Sequence, residues 1–168
     1  MYKRQEIESA MAENKFEETK DTLLEFISKN SDEIKGICFY LDCLIELKQF
    51  EEVEAFISSL EKDLQEKDEV KQVLKKMEIV KNNSSGPDIN DLLSKLEREP
   101  SNLDLVIELS EKYFSVKEYE NGMELLLKNY SKNKDKVKNK MVEFFSLLGN
   151  TDQITIKYRK KLSQIMFS

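Results

Sequence analysis

Residues 48–60 read KQFEEVEAFISSL, and the aromatic residue followed by glutamate that begins at Phe50 recurs elsewhere in the chain. The same pair begins at Phe16 and at Tyr119. The first spacing is 34 residues (from 16 to 50), and the second is 69 (from 50 to 119), or two periods of 34 plus one residue. A period of this length is typical of a repeat made of two helices, here with one degenerate copy in between.

The apolar residues around the first two markers also agree at an offset of 34. Helical periodicity alone places apolar residues on one face of each helix, but it does not reproduce a fixed offset between hairpins. We therefore predict two helical hairpins in the first half, with Ser31 or Asp32 as the N-cap of the third helix. The matched pairs are Ile7 with Leu41, Phe16 with Phe50, Leu23 with Ile57, and Phe26 with Leu60.

The second half contains the most complete repeat. The apolar, leucine, small and aromatic places of the tetratricopeptide repeat (TPR) signature are filled by Val106, Leu109, Ser110 and Tyr113. Gly122 follows in the partner helix, where the repeat needs a small residue because the two helices cross closely. Ser101 or Asn102 is expected to cap the first helix of this pair.

Two further helices are expected at the C-terminus. Gly149 should end the first of them, and Thr151 or Asp152 should cap the second. The apolar set of the first is Met141, Val142, Phe144, Phe145 and Leu148.

These patterns predict an all-α fold, a TPR-like α-solenoid of about ten helices in antiparallel hairpins. The low content of turn formers, 4 Gly and 2 Pro, agrees with long helices and few tight turns. The polar cluster NNSSGP at residues 82–87 is the expected boundary. We predict degenerate TPR-like helices at 1–83, a linker at 84–87, and TPR-like helices with a terminal capping helix at 88–168.

The composition of the chain argues against catalysis and metal binding. The chain has no His, which removes Ser/His/Asp triads, His-ligated metals and the usual neutral-pH proton shuttle. Cys38 and Cys43 lie five residues apart on different sides of a helix and do not form a C-x-x-C motif. We expect reduced packing cysteines, no catalytic residues, no metal and no cofactor. The N-terminus is not a secretory signal and no stretch spans a membrane, so a cytoplasmic location is expected.

Charge is segregated along the chain. Residues 1–127 hold 17 Lys and Arg against 30 Asp and Glu, a net of −13, whereas residues 128–168 hold 10 against 3, a net of +7. Three interpretations remain open for the basic cluster: a solvated face, a docking patch for an acidic protein, or a nucleic-acid contact. The cluster consists of Lys128, Lys132, Lys134, Lys136, Lys138 and Lys140.

The last helix should pack through a stripe of four residues at helical spacing. The stripe does not accommodate Ile156, Met166 and Phe167, which leaves two alternatives for these residues. They either cover the end of the core as part of a capping helix, or form an apolar patch for a partner beside Arg159, Lys160 and Lys161. The stripe consists of Ile154, Tyr158, Leu162 and Ile165.

The C-terminal half resembles the repeat domain of bacterial thioredoxin-TPR proteins, the chaperedoxins. The residues that support the resemblance are LLSKLEREPSNLDLVIELSEKYFSVKEYENGMELLLKN from Leu92 onward and FFSLLGNTDQITIKYRKKLSQIMFS at the end. The family ends in a helix similar to RRRLSSLLFS, which RKKLSQIMFS from Arg159 to Ser168 matches. Because no thioredoxin domain stands in this sequence, the resemblance implies a fragment or a relative that lacks that domain.

The resemblance implies a co-chaperone or holdase that binds unfolded or oxidised client proteins and passes them to the chaperonin and Hsp70 systems. In the family the last helix is implicated in chaperonin docking. Carried onto this chain, the implied protein-binding residues are Arg159, Lys160, Leu162, Ile165, Met166 and Phe167. Redox activity is not implied, because the cysteines do not lie at a matching motif.

Other function classes remain as alternatives. The repeats could form a structural scaffold or oligomerisation solenoid with no client-binding role. A clamp for a C-terminal carboxylate is less favoured, because the first helices of the repeats show no recurring Lys/Asn set. An enzyme is the least expected class.

Overall fold

The computed structural model describes residues 2–168, with side chains described from residue 5 onward, and all regular elements in this range are helical. The prediction of an all-α, TPR-like fold of helical hairpins is confirmed. Eleven α-helices and one 3₁₀ helix occur in the described residues. They are α1 (Tyr2–Ala12), α2 (Phe16–Lys29), α3 (Ile34–Glu46), α4 (Phe50–Ser59), α5 (Lys62–Gln65), α6 (Asp68–Ser84), α7 (Ile89–Arg98), α8 (Leu103–Ser115), α9 (Tyr119–Lys128), a 3₁₀ turn (Tyr130–Lys132), α10 (Lys134–Leu148) and α11 (Gln153–Met166).

The three aromatic markers each begin a helix, and the same turn precedes each of them. The residue two positions earlier is left-handed in every case, with φ of 58°, 59° and 64° at Asn14, Lys48 and Lys117. The next amide donates to the carbonyl oxygen five residues back, which is the long bond of a Schellman motif. These N···O distances are 3.0 Å for Lys15 to Ala10, 2.8 Å for Gln49 to Leu44 and 2.9 Å for Glu118 to Tyr113.

Packing follows the same register. The residue three positions after each marker is buried, as are the residues seven after it and nine before it. The predicted spacings of 34 and 69 residues therefore describe equivalent positions in three hairpins. The three sets are Thr19, Val53 and Gly122; Leu23, Ile57 and Leu126; and Ile7, Leu41 and Ser110.

The chain forms two compact units, Met1–Lys81 and Asn82–Ser168. The first is centred on α3, whose residues Ile37, Leu41 and Leu44 are fully buried. Two further helices, α5 and α6, follow the second hairpin. The predicted division at residues 84–87 stays a prediction, and α6 extends through the first of these residues.

Some local predictions are confirmed and others are wrong. Asn102 and Asp152 are the N-caps of α8 and α11, as expected. The N-cap of α3 is Glu33, not Ser31 or Asp32, because its carboxylate accepts the free Gly36 amide of the first turn. The prediction that Val142 is a core residue is also wrong. Val142 is 48% exposed, because the buried face of α10 runs through Val137, Met141, Phe144 and Phe145.

Candidate protein-binding site at the C-terminal helix

The N-terminus of α11 is fixed by a sharp turn. Gly149, with φ of 96°, ends α10 in a conformation that residues with a side chain rarely adopt. Asp152 then accepts hydrogen bonds from the amides of Ile154 at 2.8 Å and Thr155 at 3.3 Å. These contacts set the direction in which α11 leaves the turn.

The buried face of α11 differs from the predicted stripe. Thr155, Tyr158 and Leu162 are buried, at exposures of 0%, 1% and 5%. Ile154 is half-buried, whereas Ile165 is 39% exposed, so the prediction of Ile165 as a stripe residue is wrong. The face that contacts the neighbouring helices follows the 3.6-residue helical period from Thr155. The first and last residues of the i, i+4, i+8, i+11 pattern therefore lie to one side of this face.

Charged groups hold α11 against α9. The Tyr158 hydroxyl donates to Glu124 Oε1 at 2.9 Å, and Lys161 forms an ion pair with the same carboxylate. Lys157 pairs with Glu120 at 2.8 Å, one turn earlier on both helices. The hydrogen bond from Lys161 holds the pKa of Glu124 below its ordinary value, while burial and then the bond to Glu124 raise the pKa of Tyr158.

Two cations lie close to the Tyr158 ring. The Lys157 ammonium is 5.2 Å from the ring centroid and that of Lys161 is 4.8 Å away. Both distances are within the range of a cation–π interaction. Two basic residues of α11 therefore anchor the helix to the core as well as adding positive charge.

Part of the basic cluster also has partners inside the chain. Lys140 pairs with Glu111 at 2.7 Å and with Glu143 at 3.2 Å, and its side chain is only 16% exposed. Lys136 forms an ion pair with Asp104. The pairs of Lys140 with Glu111 and of Lys136 with Asp104 join α10 to α8. The cluster is therefore in part a set of interhelical ion pairs, an arrangement that residue spacing alone did not indicate.

The end of α11 exposes its apolar residues. Ile165 is 39% exposed, Met166 38% and Phe167 84%. Ile156, which was left out of the predicted binding set, is 50% exposed. It lies on the same side of α11 as Phe167, because 11 residues are close to three whole turns.

The basic residues of the predicted set are exposed, but Leu162 is not. Arg159 donates to Asn150 Oδ1 at 2.9 Å and its guanidinium lies 5.5 Å from the Phe145 ring centroid. Lys160 is exposed and has no ion pair within residues 5–168. Leu162, at 5% exposure, supports the helix from the core side and cannot contact a partner directly. We name the remaining exposed set, Ile156, Arg159, Lys160, Ile165, Met166 and Phe167, the α11 surface.

Comparison with known proteins identifies the architecture. A family model described as tetratricopeptide repeat matches residues 82–167. The chain belongs to the tetratricopeptide repeat family. Repeats of this family are protein-interaction modules and are generally non-catalytic. A search of curated proteins finds no match to this chain.

A solved structure also resembles the chain. It is the crystal structure of a domain of protein VP0806, of unknown function, from Vibrio parahaemolyticus RIMD 2210633. The sequences are 23% identical, 96% of each chain is covered, and the TM-score is 0.45.

The TPR signature of α8 and α9 has a direct structural reason. A Cβ atom at Gly122 would lie 3.1 Å from the carbonyl oxygen of Ser110 and 3.4 Å from Cβ of Tyr113. Ser110 is fully buried at the same crossing. The prediction that a small residue is needed here because the helices cross closely is confirmed.

The TPR chain has two free cysteines, one buried and one half-buried. Cys43 is fully buried, with its Sγ 3.1 Å from Sδ of Met11, and Cys38 is half-buried. Burial raises the pKa of both thiols to about 12. Within the described residues there is no group of His, Cys, Asp or Glu that could hold a metal ion. In residues 2–168 no helix has the length and apolar character needed to cross a bilayer.

Proposed function

We propose that this chain is a co-chaperone module of the chaperedoxin type. It binds unfolded or oxidised client proteins and passes them to the chaperonin, on which it docks through the α11 surface. It also passes clients to the Hsp70 system. The observation that supports this proposal most strongly is the exposed apolar end of α11, where Phe167 is 84% exposed beside Met166 and Ile165.

The exposed apolar side chains at the end of α11 are consecutive in sequence. Ile165, Met166 and Phe167 follow one another, and each is at least 38% exposed. Exposed apolar groups beside charged ones are typical of a protein-binding surface.

The charge of α11 supports docking on an acidic partner. Residues 153–166 contain four cations and no carboxylate. Lys157 and Lys161 are paired with α9, which leaves Arg159 and Lys160 on the exposed surface. Such charges chiefly raise the association rate and orient the encounter, whereas apolar contacts provide most of the affinity.

The proposal is tested with a variant that changes the surface and not the fold. Phe167→Ser removes the most exposed side chain of α11, so we expect the free energy of unfolding to change by less than about 0.5 kcal/mol. Leu93→Ser is the matched control, because Leu93 is an exposed apolar residue of α7, at 37%. We expect Phe167→Ser to weaken chaperonin binding by about 10- to 30-fold, as loss of an interface anchor does. Equal binding by both variants rejects the assignment of α11.

Client binding is tested separately. A holdase slows the aggregation of a heated client protein at near-stoichiometric ratios, whereas a scaffold without a client-binding role leaves the aggregation rate unchanged. If the wild-type chain fails to slow aggregation of two unrelated clients, the holdase part of the proposal is wrong.

A further inference from the structure

The hairpin of α1 and α2 contains an open groove of about 170 Å³ that the α11 function does not use. Its floor is formed by Ile7 and Thr19, which are 4% and 3% exposed, together with the half-buried Ala10. Its rim carries the exposed carboxylates of Glu6 and Glu18. The groove therefore has a mainly apolar floor, in which the Thr19 hydroxyl donates to the Lys15 carbonyl, and a negative rim.

The α11 surface has the opposite character. Phe167 supplies an aromatic ring that is 84% exposed, and Lys160 supplies a cation on the same side of the helix, about two turns earlier. An aromatic side chain suits an apolar floor, and a lysine beside it suits a carboxylate rim.

The net charges of the two regions are also complementary. The unit Met1–Lys81 holds 13 Lys and Arg against 20 Asp and Glu, a net of −7. Residues 153–166 hold four cations and no carboxylate, and two of the cations, Arg159 and Lys160, have no ion pair within residues 5–168. Attraction between these regions of two molecules raises the rate of encounter and favours a head-to-tail orientation, because two α11 surfaces repel each other.

The two patches lie on different hairpins, because the groove is formed by α1 and α2 whereas the other patch is the end of α11. A contact between different patches of two identical chains is heterologous, and it propagates unless the rotation closes a ring.

We propose that the α11 surface of one copy docks in the α1/α2 groove of a second copy. This contact uses the α11 surface that also binds the partner in the proposed function, so self-association and partner binding compete. The groove itself takes no part in partner binding, which allows the two functions to be separated by mutation.

The test uses two full-length variants measured by sedimentation equilibrium up to about 1 mM chain, the range that detects weak contacts. The tail variant is Phe167→Asp, and the groove variant is the charge reversal Glu6→Lys with Glu18→Lys. Both groove positions are exposed, so each variant should fold, and a far-UV circular dichroism spectrum equal to that of the wild type checks this. A charge-matched control reverses two exposed carboxylates elsewhere in the same unit, Glu51→Lys with Glu78→Lys.

We expect the wild-type chain and the control to self-associate with a salt-dependent constant, and each test variant alone to be at least tenfold weaker. An equimolar mixture of the tail and groove variants should form a 1:1 dimer, in which the intact tail of the groove variant docks in the intact groove of the tail variant. This dimer should not grow further, because its other tail and its other groove are mutated. The groove variant should bind chaperonin like the wild type, whereas the tail variant should not.

Three results would overturn the inference. The first is a wild-type chain that remains monomeric throughout the concentration series. The second is a groove variant that self-associates like the wild type, which would indicate a contact between two α11 surfaces. The third is a mixture of variants that stays monomeric. None of them affects the proposed function, which is tested by chaperonin binding through the α11 surface and by client aggregation.

Discussion

Gly122→Ala adds one methyl group at the point where α8 and α9 cross. Two effects oppose each other. Alanine is more favourable than glycine in a helix interior by about 1 kcal/mol. Against this, the new Cβ would lie 3.1 Å from the Ser110 carbonyl oxygen and 3.4 Å from Cβ of Tyr113, which is closer than ordinary van der Waals contact.

The identity of the contacting atom decides which effect is larger. The Ser110 oxygen belongs to the backbone of α8, so it cannot move aside as a flexible side chain does. Relief requires the two helices to separate, and overpacking of this kind costs roughly 1–3 kcal/mol. We therefore expect Gly122→Ala to lower the free energy of unfolding by about 1 kcal/mol after the helix-propensity gain.

Urea unfolding followed by circular dichroism measures this difference, with Gly86→Ala as the control. The Cβ of an alanine at position 86 would have its nearest neighbour at 3.6 Å, so no clash opposes it and stability should be unchanged or slightly higher. If Gly122→Ala is as stable as Gly86→Ala, the close crossing of α8 and α9 is not a constraint and the reasoning fails.

Three further predictions concern the same fold. Thr155→Val should stabilise the chain by about 1 kcal/mol, because the buried Thr155 Oγ1 has no hydrogen-bond partner among the described residues. Lys48→Gly should stabilise it by up to about 1 kcal/mol, because Lys48 is left-handed at φ 59°. The two thiols, with pKa values raised to about 12, should react with iodoacetamide at pH 8 about a thousandfold more slowly in the folded chain than in urea.

The predictions for Thr155 and Lys48 each have a control variant. Thr19→Val should be destabilising, because it removes the hydrogen bond from Thr19 Oγ1 to the Lys15 carbonyl. Lys75→Gly, at an exposed position inside α6, should lose about 1 kcal/mol. If Thr155→Val and Thr19→Val changed the free energy of unfolding in the same direction, the prediction for Thr155 would be wrong. The same holds for Lys48→Gly and Lys75→Gly.

The thiols also set the direction of a pH effect. Above pH 9 they ionise in the unfolded chain before they ionise in the folded chain, whose thiol pKa is about 12. The unfolded state then binds fewer protons, so the free energy of unfolding should fall between pH 9 and pH 12. Replacing both cysteines with alanine should remove this part of the fall.

The repeat register could be predicted from sequence because it is local. The markers Phe16, Phe50 and Tyr119 follow turns whose backbone geometry repeats, so their spacing predicts the repeated hairpins. The close packing at Gly122 could also be predicted, since two helices that cross closely require a small residue at the crossing. Two caps, Asn102 and Asp152, follow from side chains that can reach a free amide.

The details of the candidate site could not be predicted in the same way. The choice of buried residues on α11 depends on how α9 and α10 pack against it, so Ile165 was placed in the core although it is 39% exposed. The pairing of Lys161 with Glu124 joins residues 37 positions apart, and a charge count cannot show it. Charges that the sequence indicated as one basic region are therefore divided into anchors of the helix and free surface cations.

The most direct test of the account is the dissociation constant of the chain for chaperonin, measured for Phe167→Ser and for the control Leu93→Ser. Because Phe167 is 84% exposed, Phe167→Ser should unfold at the same urea concentration as the wild type. We predict that Phe167→Ser binds about 10- to 30-fold more weakly and that Leu93→Ser binds like the wild type. Equal dissociation constants for the two variants would contradict the claim that α11 is the protein-binding surface.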